Sequence, residues 1–467
     1  AGMTADGRQA EGRKSGALKK SLLYIVGIDV QSTKELFWIF FGQVGMGLGW
    51  FLGVKLMTRM ISPEEFGRFS LGNTWMNLML VVFFSPIGQG LMRYWSIARA
   101  QARVSDFDRA STRFRIILTA VSILLCVVLI AFSVMMDLKN WTWLIVLSIS
   151  AGCASGWSSM DILILTADRR RQAASILNFV SACFKPMSAA LIIFVTTSTA
   201  DMAMLGYLIV SLFLAGISGF FYQRAVKSSI GHFRILNGKE CTPMATDIMS
   251  FSWPFLTWGA FIWIYQFCDR WALQMFHGPT VVGMYSVVSQ LAFYPLVFLS
   301  GLLQLFFMPI AYDRAGGLKS AVDMAAAIRI LMIMIGCYIL CSLLLIGFYR
   351  LIGTWMVLLI SSFRYTEYAP LLPWLTLDWS LFFLGQLLTG FGMLVNRTRS
   401  YIPAIIISSI VAGVLCLYLS RIQGPSGVVL GLGIAGLIYA VWSMWIARQV
   451  VIPERIQIGT AKAGGQQ

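Results

Sequence analysis

The sequence predicts an all-α polytopic membrane protein, with about twelve transmembrane helices in two parallel-repeat six-helix lobes around a central cavity. Three observations predict it. The chain is 58% hydrophobic and only 12% charged, with a mean hydropathy of +0.76, whereas a soluble domain carries about 25% charged residues. Its apolar residues gather into stretches of about 20, the length a helix needs to cross a bilayer. One phrase also occurs twice between such stretches: residues 62–70 read SPEEFGRFS and residues 278–286 read GPTVVGMYS. Pro63, Gly67, Phe69 and Ser70 align with Pro279, Gly283, Tyr285 and Ser286, each at an offset of 216 residues. A repeated turn between apolar segments marks a duplicated bundle. Transporter folds are commonly built from such repeats, with the substrate site between them.

Residues 1–35 form a polar, basic N-terminal segment. Lys19-Lys20 before SLLYIVGI (21–28) imitates a short signal peptide, but Asp29 ends the apolar run and no small-residue cleavage site follows. An interfacial amphipathic helix is expected there. Twelve stretches then qualify as spans: 36–57, 69–92, 116–136, 141–164, 175–195, 202–222, 251–268, 283–308, 328–348, 370–395, 400–420 and 427–447. Spans 1–6 make an N-lobe (36–222) and spans 7–12 a C-lobe (251–447), joined by the polar linker 223–250 and followed by the tail 448–467. An even number of spans per lobe gives both halves the same orientation, which makes the repeat parallel. The arginine-rich loop 93–115 is expected to lie on the membrane surface as a helix.

The basic residues test this count. With the N-terminus in the cytoplasm, 27 lysines and arginines fall on the cytoplasmic side and 7 on the other, while Lys55 and Lys185 lie inside spans. Excess positive charge on the cytoplasmic side is the rule for polytopic proteins. It favours twelve spans in the inner membrane with both termini inside. The net charge of +16 would suggest nucleic acid in a soluble protein; here it reports orientation, and no nucleic-acid partner is expected.

Nothing in the sequence carries a catalytic pattern. No P-loop G-x-x-x-x-G-K-[ST] occurs, which speaks against ATP hydrolysis in this chain. The eight cysteines are scattered, without C-x-x-C, and His232 and His277 stand far apart, so neither a metal nor a cofactor is expected. Ionisable residues inside apolar spans are the sharper signal, being costly in hydrocarbon and functional by default. Lys55 and Lys185, with Arg59, Arg93 and Arg270 at span ends, are candidate cavity cations that would bind a phosphate or pyrophosphate head by charge-assisted hydrogen bonds. Asp161, Asp269 and Asp378 are candidate coupling or ion-pair acids, Asp161 with Lys185 being one possible pair. Polar faces on spans 2, 7 and 8 offer Asn73, Asn77, Tyr265, Gln290 and Tyr294 as sugar contacts or as interhelical glue. Gly45, Gly49 and Gly53 form a small-residue seam on span 1, suited to close helix packing or to bending.

The turn ISPEEFGRFSL after span 1 and the stretch DRWALQMFHGPTVVGMYSVVSQLAFYP across spans 7–8 resemble the polysaccharide-exporter family of lipid-linked oligosaccharide flippases. So do RYTEYAPLLPWL (364–375) and NRTR (396–399). That family lies within the multidrug/oligosaccharidyl-lipid/polysaccharide exporter superfamily, and the resemblance covers residues 36–447. It implies two six-helix lobes working by alternating access. It also implies an undecaprenyl-pyrophosphate-linked oligosaccharide substrate for exopolysaccharide or O-antigen (lipopolysaccharide) assembly. Membrane lipids, glycosyltransferases and a repeat-unit polymerase are the implied partners. A multidrug antiporter and a membrane polymerase or ligase are the alternatives. The first should line its cavity with acids, and the second needs a large external loop, which this chain lacks. A cysteine placed in the 223–250 loop is expected to be silent to an impermeant thiol reagent added outside the cell and to react once the membrane is opened. Labelling from outside would reverse the topology.

Overall fold

The computed structural model describes residues 30–137, 139–230, 244–315 and 321–463. The expected interfacial helix of residues 1–29 and the middle of the linker, 231–243, lie outside the described residues. The helices are α1 (Val30–Met60), α2 (Pro63–Leu78), α3 (Ser85–Ala100), α4 (Val104–Met135), α5 (Thr142–Ala167), α6 (Arg171–Val195) and α7 (Ala200–Ile230). There follow α8 (Met244–Ala315), α9 (Ala321–Ile360), α10 (Leu372–Leu394), α11 (Ile402–Gln423) and α12 (Pro425–Ala463). A π-helical stretch, Met79–Phe84, joins α2 to α3, so these make one span.

Ten helices among the described residues are long and apolar enough to cross a membrane. One of them, α8, runs for 72 residues, far more than a bilayer of about 30 Å requires. It breaks at Gly278, whose φ of 79° and ψ of 177° suit only glycine, and therefore holds spans 7 and 8. The 31 residues of α1 also suffice in length. The helices thus accommodate the twelve predicted stretches in order. No surface helix follows span 2, however. α3 continues to Ala100 and α4 starts at Val104, leaving only a turn, with Ala102 at φ 55°. The arginines of 93–115 ride on the ends of two spans.

The N-lobe is held by small-residue packing and by two polar clips. The Gly45–Gly49–Gly53 seam lies against α6, where added Cβ atoms would meet Phe179, the Ala182 backbone and Pro186. This is close packing of the kind small residues allow. Ser62 caps α2 by accepting from the Glu65 amide at 3.2 Å. Glu65 in turn accepts from the Ala200 amide at 2.6 Å, and Arg68 bonds both Glu65, at 3.0 Å, and the Asn140 carbonyl, at 2.5 Å. The SPEEFGR phrase therefore ties the span 3–4 and span 5–6 turns to span 2. At the arginine-rich end, Asp168 receives Arg99 at 2.6 Å, Arg170 at 2.7 Å and the Trp95 indole at 3.2 Å.

The repeated phrase packs against itself. A Cβ on Gly67 would overlap the Pro279 carbonyl, and a Cβ on Gly283 would overlap the Pro63 carbonyl. Ser70 Oγ donates to Ser286 Oγ at 2.8 Å. The contact is reciprocal, and both serines are buried. Tyr365, from the RYTEYAP segment, covers it: its hydroxyl donates to the Ile61 carbonyl at 3.3 Å and its ring meets Phe66 edge-on. The lobes also touch along spans 2 and 7, where the Trp263 indole donates to the Thr74 carbonyl at 2.9 Å and Gly259 abuts the Val81 backbone. Gly67→Ala and Gly283→Ala are each expected to destabilise the protein by about 2 kcal/mol through overpacking. Because one crossing holds both, the double variant should lose less than the sum. Thermal unfolding in detergent measures this, with Gly47→Ala as the control, since a Cβ there meets no atom within 4 Å.

Candidate functional site

A cavity of about 100 Å³ lies between the lobes beside this crossing. Span 2 contributes Ser70, Asn73 and Asn77; span 7 Gln266, Phe267 and Arg270; span 8 Gln290, Phe293 and Tyr294; and α10 Trp379. Spacings of three and four residues put each set on one helix face. Asn77 Nδ2 donates to the Asn73 carbonyl at 2.8 Å, and Gln290 Oε1 accepts from the Trp50 indole at 3.3 Å. Phe293 lies edge-on to Trp379 with ring centroids 4.8 Å apart, and Trp50 lies 4.8 Å from Tyr294.

Arg270 is the charge in this cavity. It is 9% exposed, its guanidinium lies 5.1 Å from the Phe267 ring centroid, and its Nε has no hydrogen-bond partner among the described residues. Trp379, 2% exposed, leaves its indole N–H equally unpartnered. None of the lining residues is acidic. Burying an unpaired cation is costly, and an anion entering here would find a desolvated guanidinium, an indole donor and four carboxamides. That combination suits a phosphate joined to a hydroxyl-rich group.

Five predicted residues thus come together: Asn73, Asn77, Arg270, Gln290 and Tyr294. Others are placed elsewhere. On span 7 the expected face was one residue out of register. Tyr265 stacks on Phe382 inside the C-lobe and donates to the Leu432 carbonyl at 3.2 Å, while Asp269 accepts from its neighbour's amide at 2.7 Å and from Tyr285 at 3.1 Å. The next face, Gln266 and Arg270, meets the cavity. Asp378 is buried in the C-lobe against Gly433. The suggested Asp161–Lys185 pair does not form: Asp161 pairs with Arg115 and accepts from Ser218 at 2.8 Å. Arg115 lies 4.9 Å from the Tyr222 ring, and Tyr222 donates to Asp108 at 2.8 Å. Lys185 donates to Ser155 at 3.0 Å, and Ser155 donates to Ser211 at 2.9 Å. Lys55 is half-buried over Phe51, Arg59 is exposed, and Arg93 is exposed over Phe251 of the other lobe at 4.4 Å. None of these four cations lines the cavity. Sequence reasoning missed Trp50, Gln266 and Trp379. Gln266 was within reach, one turn before Arg270 on the same face.

A family profile described as "Polysaccharide biosynthesis protein" matches residues 32–311. No curated protein sequence matches the chain. Among solved structures, the lipid II flippase MurJ in an inward closed conformation superposes with a TM-score of 0.64 at 14% identity, covering 93% of each chain. An inward-facing multidrug resistance MATE family transporter of the MOP superfamily gives 0.64 at 13%, over 88% of this chain and 95% of that one. The Vibrio cholerae MATE transporter VcmN in its bent form gives 0.58 at 12%, over 91% and 97%. At such identities the likeness is one of fold, and the fold is one that these membrane transporters share. Within the N-lobe, Arg115→Ala is expected to cost about 3–5 kcal/mol, because it leaves Asp161 buried without a counter-charge. Lys185→Met, which orphans no carboxylate, should cost less. Unfolding of the two variants in detergent, ranked against the parent, checks this order.

Proposed function

The chain belongs to the polysaccharide biosynthesis protein family, and on that premise we propose that it is a flippase. Its cargo is an undecaprenyl-pyrophosphate-linked oligosaccharide repeat unit, carried from the cytoplasmic to the periplasmic leaflet for exopolysaccharide or O-antigen assembly. One observation supports this reading above the others: a buried guanidinium, with no ion pair among the described residues and its Nε unpartnered, in an inter-lobe cavity whose lining holds four carboxamides and no acid. The same feature disfavours a cation-exporting antiporter. Arg270 takes the phosphate oxygens, while Asn73, Asn77, Gln266 and Gln290 take sugar hydroxyls. Charge asymmetry assigns the arginine-rich end to the cytoplasm, so the Gly67–Gly283 crossing closes the periplasmic side. Rocking of the lobes would open it, with the lipid tail staying in the bilayer. Two negative charges leaving a cell gain about 2.3 kcal/mol per charge per 100 mV, a driving force that needs no ATP. Glycosyltransferases on the cytoplasmic side would supply the substrate, and a repeat-unit polymerase would consume the product.

A hydrogen bond to a charged group contributes about 1.5–3 kcal/mol. Arg270→Ala should therefore lower polysaccharide export about 10- to 100-fold at unchanged protein abundance, with Arg270→Lys between. Lys55→Ala and Lys185→Ala, outside the cavity in this state, should cost less. Undiminished export from Arg270→Ala would contradict the assignment.

A further inference from the structure

Trp50, on span 1, touches two residues that line the cavity, and it occupies two groups that a sugar would use. Its indole N–H is given to Gln290 Oε1 at 3.3 Å, and its ring lies on Tyr294, centroids 4.8 Å apart and planes tilted by 32°. Gln290 and Tyr294 are one turn apart on span 8, and both line the cavity. Trp50 belongs to the N-lobe and its two partners to the C-lobe, so this contact joins span 1 to span 8.

Carbohydrates bind aromatic faces through their C–H surfaces and carboxamides through their hydroxyls. Heavy-atom contact needs about 4 Å on each side of a pyranose, so one held between two rings requires roughly 8 Å between them. The 4.8 Å observed leaves no such room. A sugar that stacks on the Tyr294 face covered by Trp50, or takes the Gln290 Oε1 that Trp50 holds, must displace Trp50, and that breaks both of these Trp50 contacts between span 1 and span 8. An anion held by the Arg270 guanidinium and the Trp379 indole uses neither of the two groups that Trp50 occupies.

We propose that Trp50 is a specificity-determining residue: the saccharide, not the diphosphate, releases it from Gln290 and Tyr294 and so loosens the span 1–span 8 contact. The inference rests on the flippase reading above. It makes the transporter respond to a loaded lipid and ignore a bare one, although both carry the same anion.

The test uses the full chain with its eight native cysteines replaced, reconstituted in nanodiscs and spin-labelled at Gly47→Cys and Gly301→Cys. A Cβ added at either site meets no neighbouring atom within 4 Å. The probes are undecaprenyl diphosphate bearing one N-acetylhexosamine and the same lipid diphosphate without sugar. With Trp50 present, the sugar-bearing lipid should raise the long-distance population about tenfold over the bare lipid, the size expected of one ring contact plus one neutral hydrogen bond. Trp50→Ala should show the long distance without any ligand and lose the difference between the lipids. Trp50→Phe, which keeps the ring and loses the N–H, should fall between and guards against a folding defect in the first variant. Equal shifts from both lipids, or an undiminished difference in Trp50→Ala, would overturn the role of Trp50 while leaving the anion cavity standing. No shift and no saturable binding of either lipid would overturn the flippase reading and this inference with it.

Discussion

The contact between the two copies of one nine-residue phrase holds the architecture together. Gly67 and Gly283 let two helix ends cross at a distance that any side chain would forbid, each against the carbonyl of the other's proline. Ser70 and Ser286 then close a hydrogen bond across the crossing. In a bilayer there is little hydrophobic drive between helices, so close backbone approach and hydrogen bonding must do the joining. Everything central follows from this junction. It brings span 2 against spans 7 and 8, sets their polar faces toward each other, and leaves the cavity just beside it.

The buried and interfacial cations show how that cavity differs from the rest of the molecule. Arg115 is matched by Asp161 and Tyr222, Lys185 by a ladder of serine hydroxyls, and Arg93 by the face of Phe251. Arg115 has a counter-charge, Lys185 a hydroxyl, and Arg93 lies exposed at a span end. Arg270 has a ring beside it but no carboxylate within ion-pair distance among the described residues, and its Nε is unpartnered. Desolvating a charge without compensation is expensive. The expense is met most simply by a ligand that arrives with the opposite charge, and a diphosphate is such a ligand.

Much of this was legible in the sequence, and the remainder was hidden for physical reasons. Span count and order follow from hydropathy, because the bilayer imposes a length that few soluble helices match. The crossing was visible as a repeat, since its glycines, prolines and serines answer a geometric demand. The face of span 7 was misread by one residue, which on a helix is a turn of about 100°. That error sent Tyr265 and Asp269 to the cavity on paper and into the C-lobe in the fold. The Arg115–Asp161 pair was missed because Arg115 was counted with a loop, whereas α4 begins eleven residues earlier, at Val104. Trp50 and Trp379 carried no signal, since aromatics in apolar spans usually fill cores.

The central claim is that transport requires the lobes to part at the repeated crossing. In a cysteine-free background, the Ser70→Cys/Ser286→Cys pair replaces the hydrogen bond with a bond that oxidation can close. The account predicts that the oxidised protein is cross-linked and inactive in export, and that reduction restores activity. Full export from protein whose cross-link is shown to be complete would contradict it.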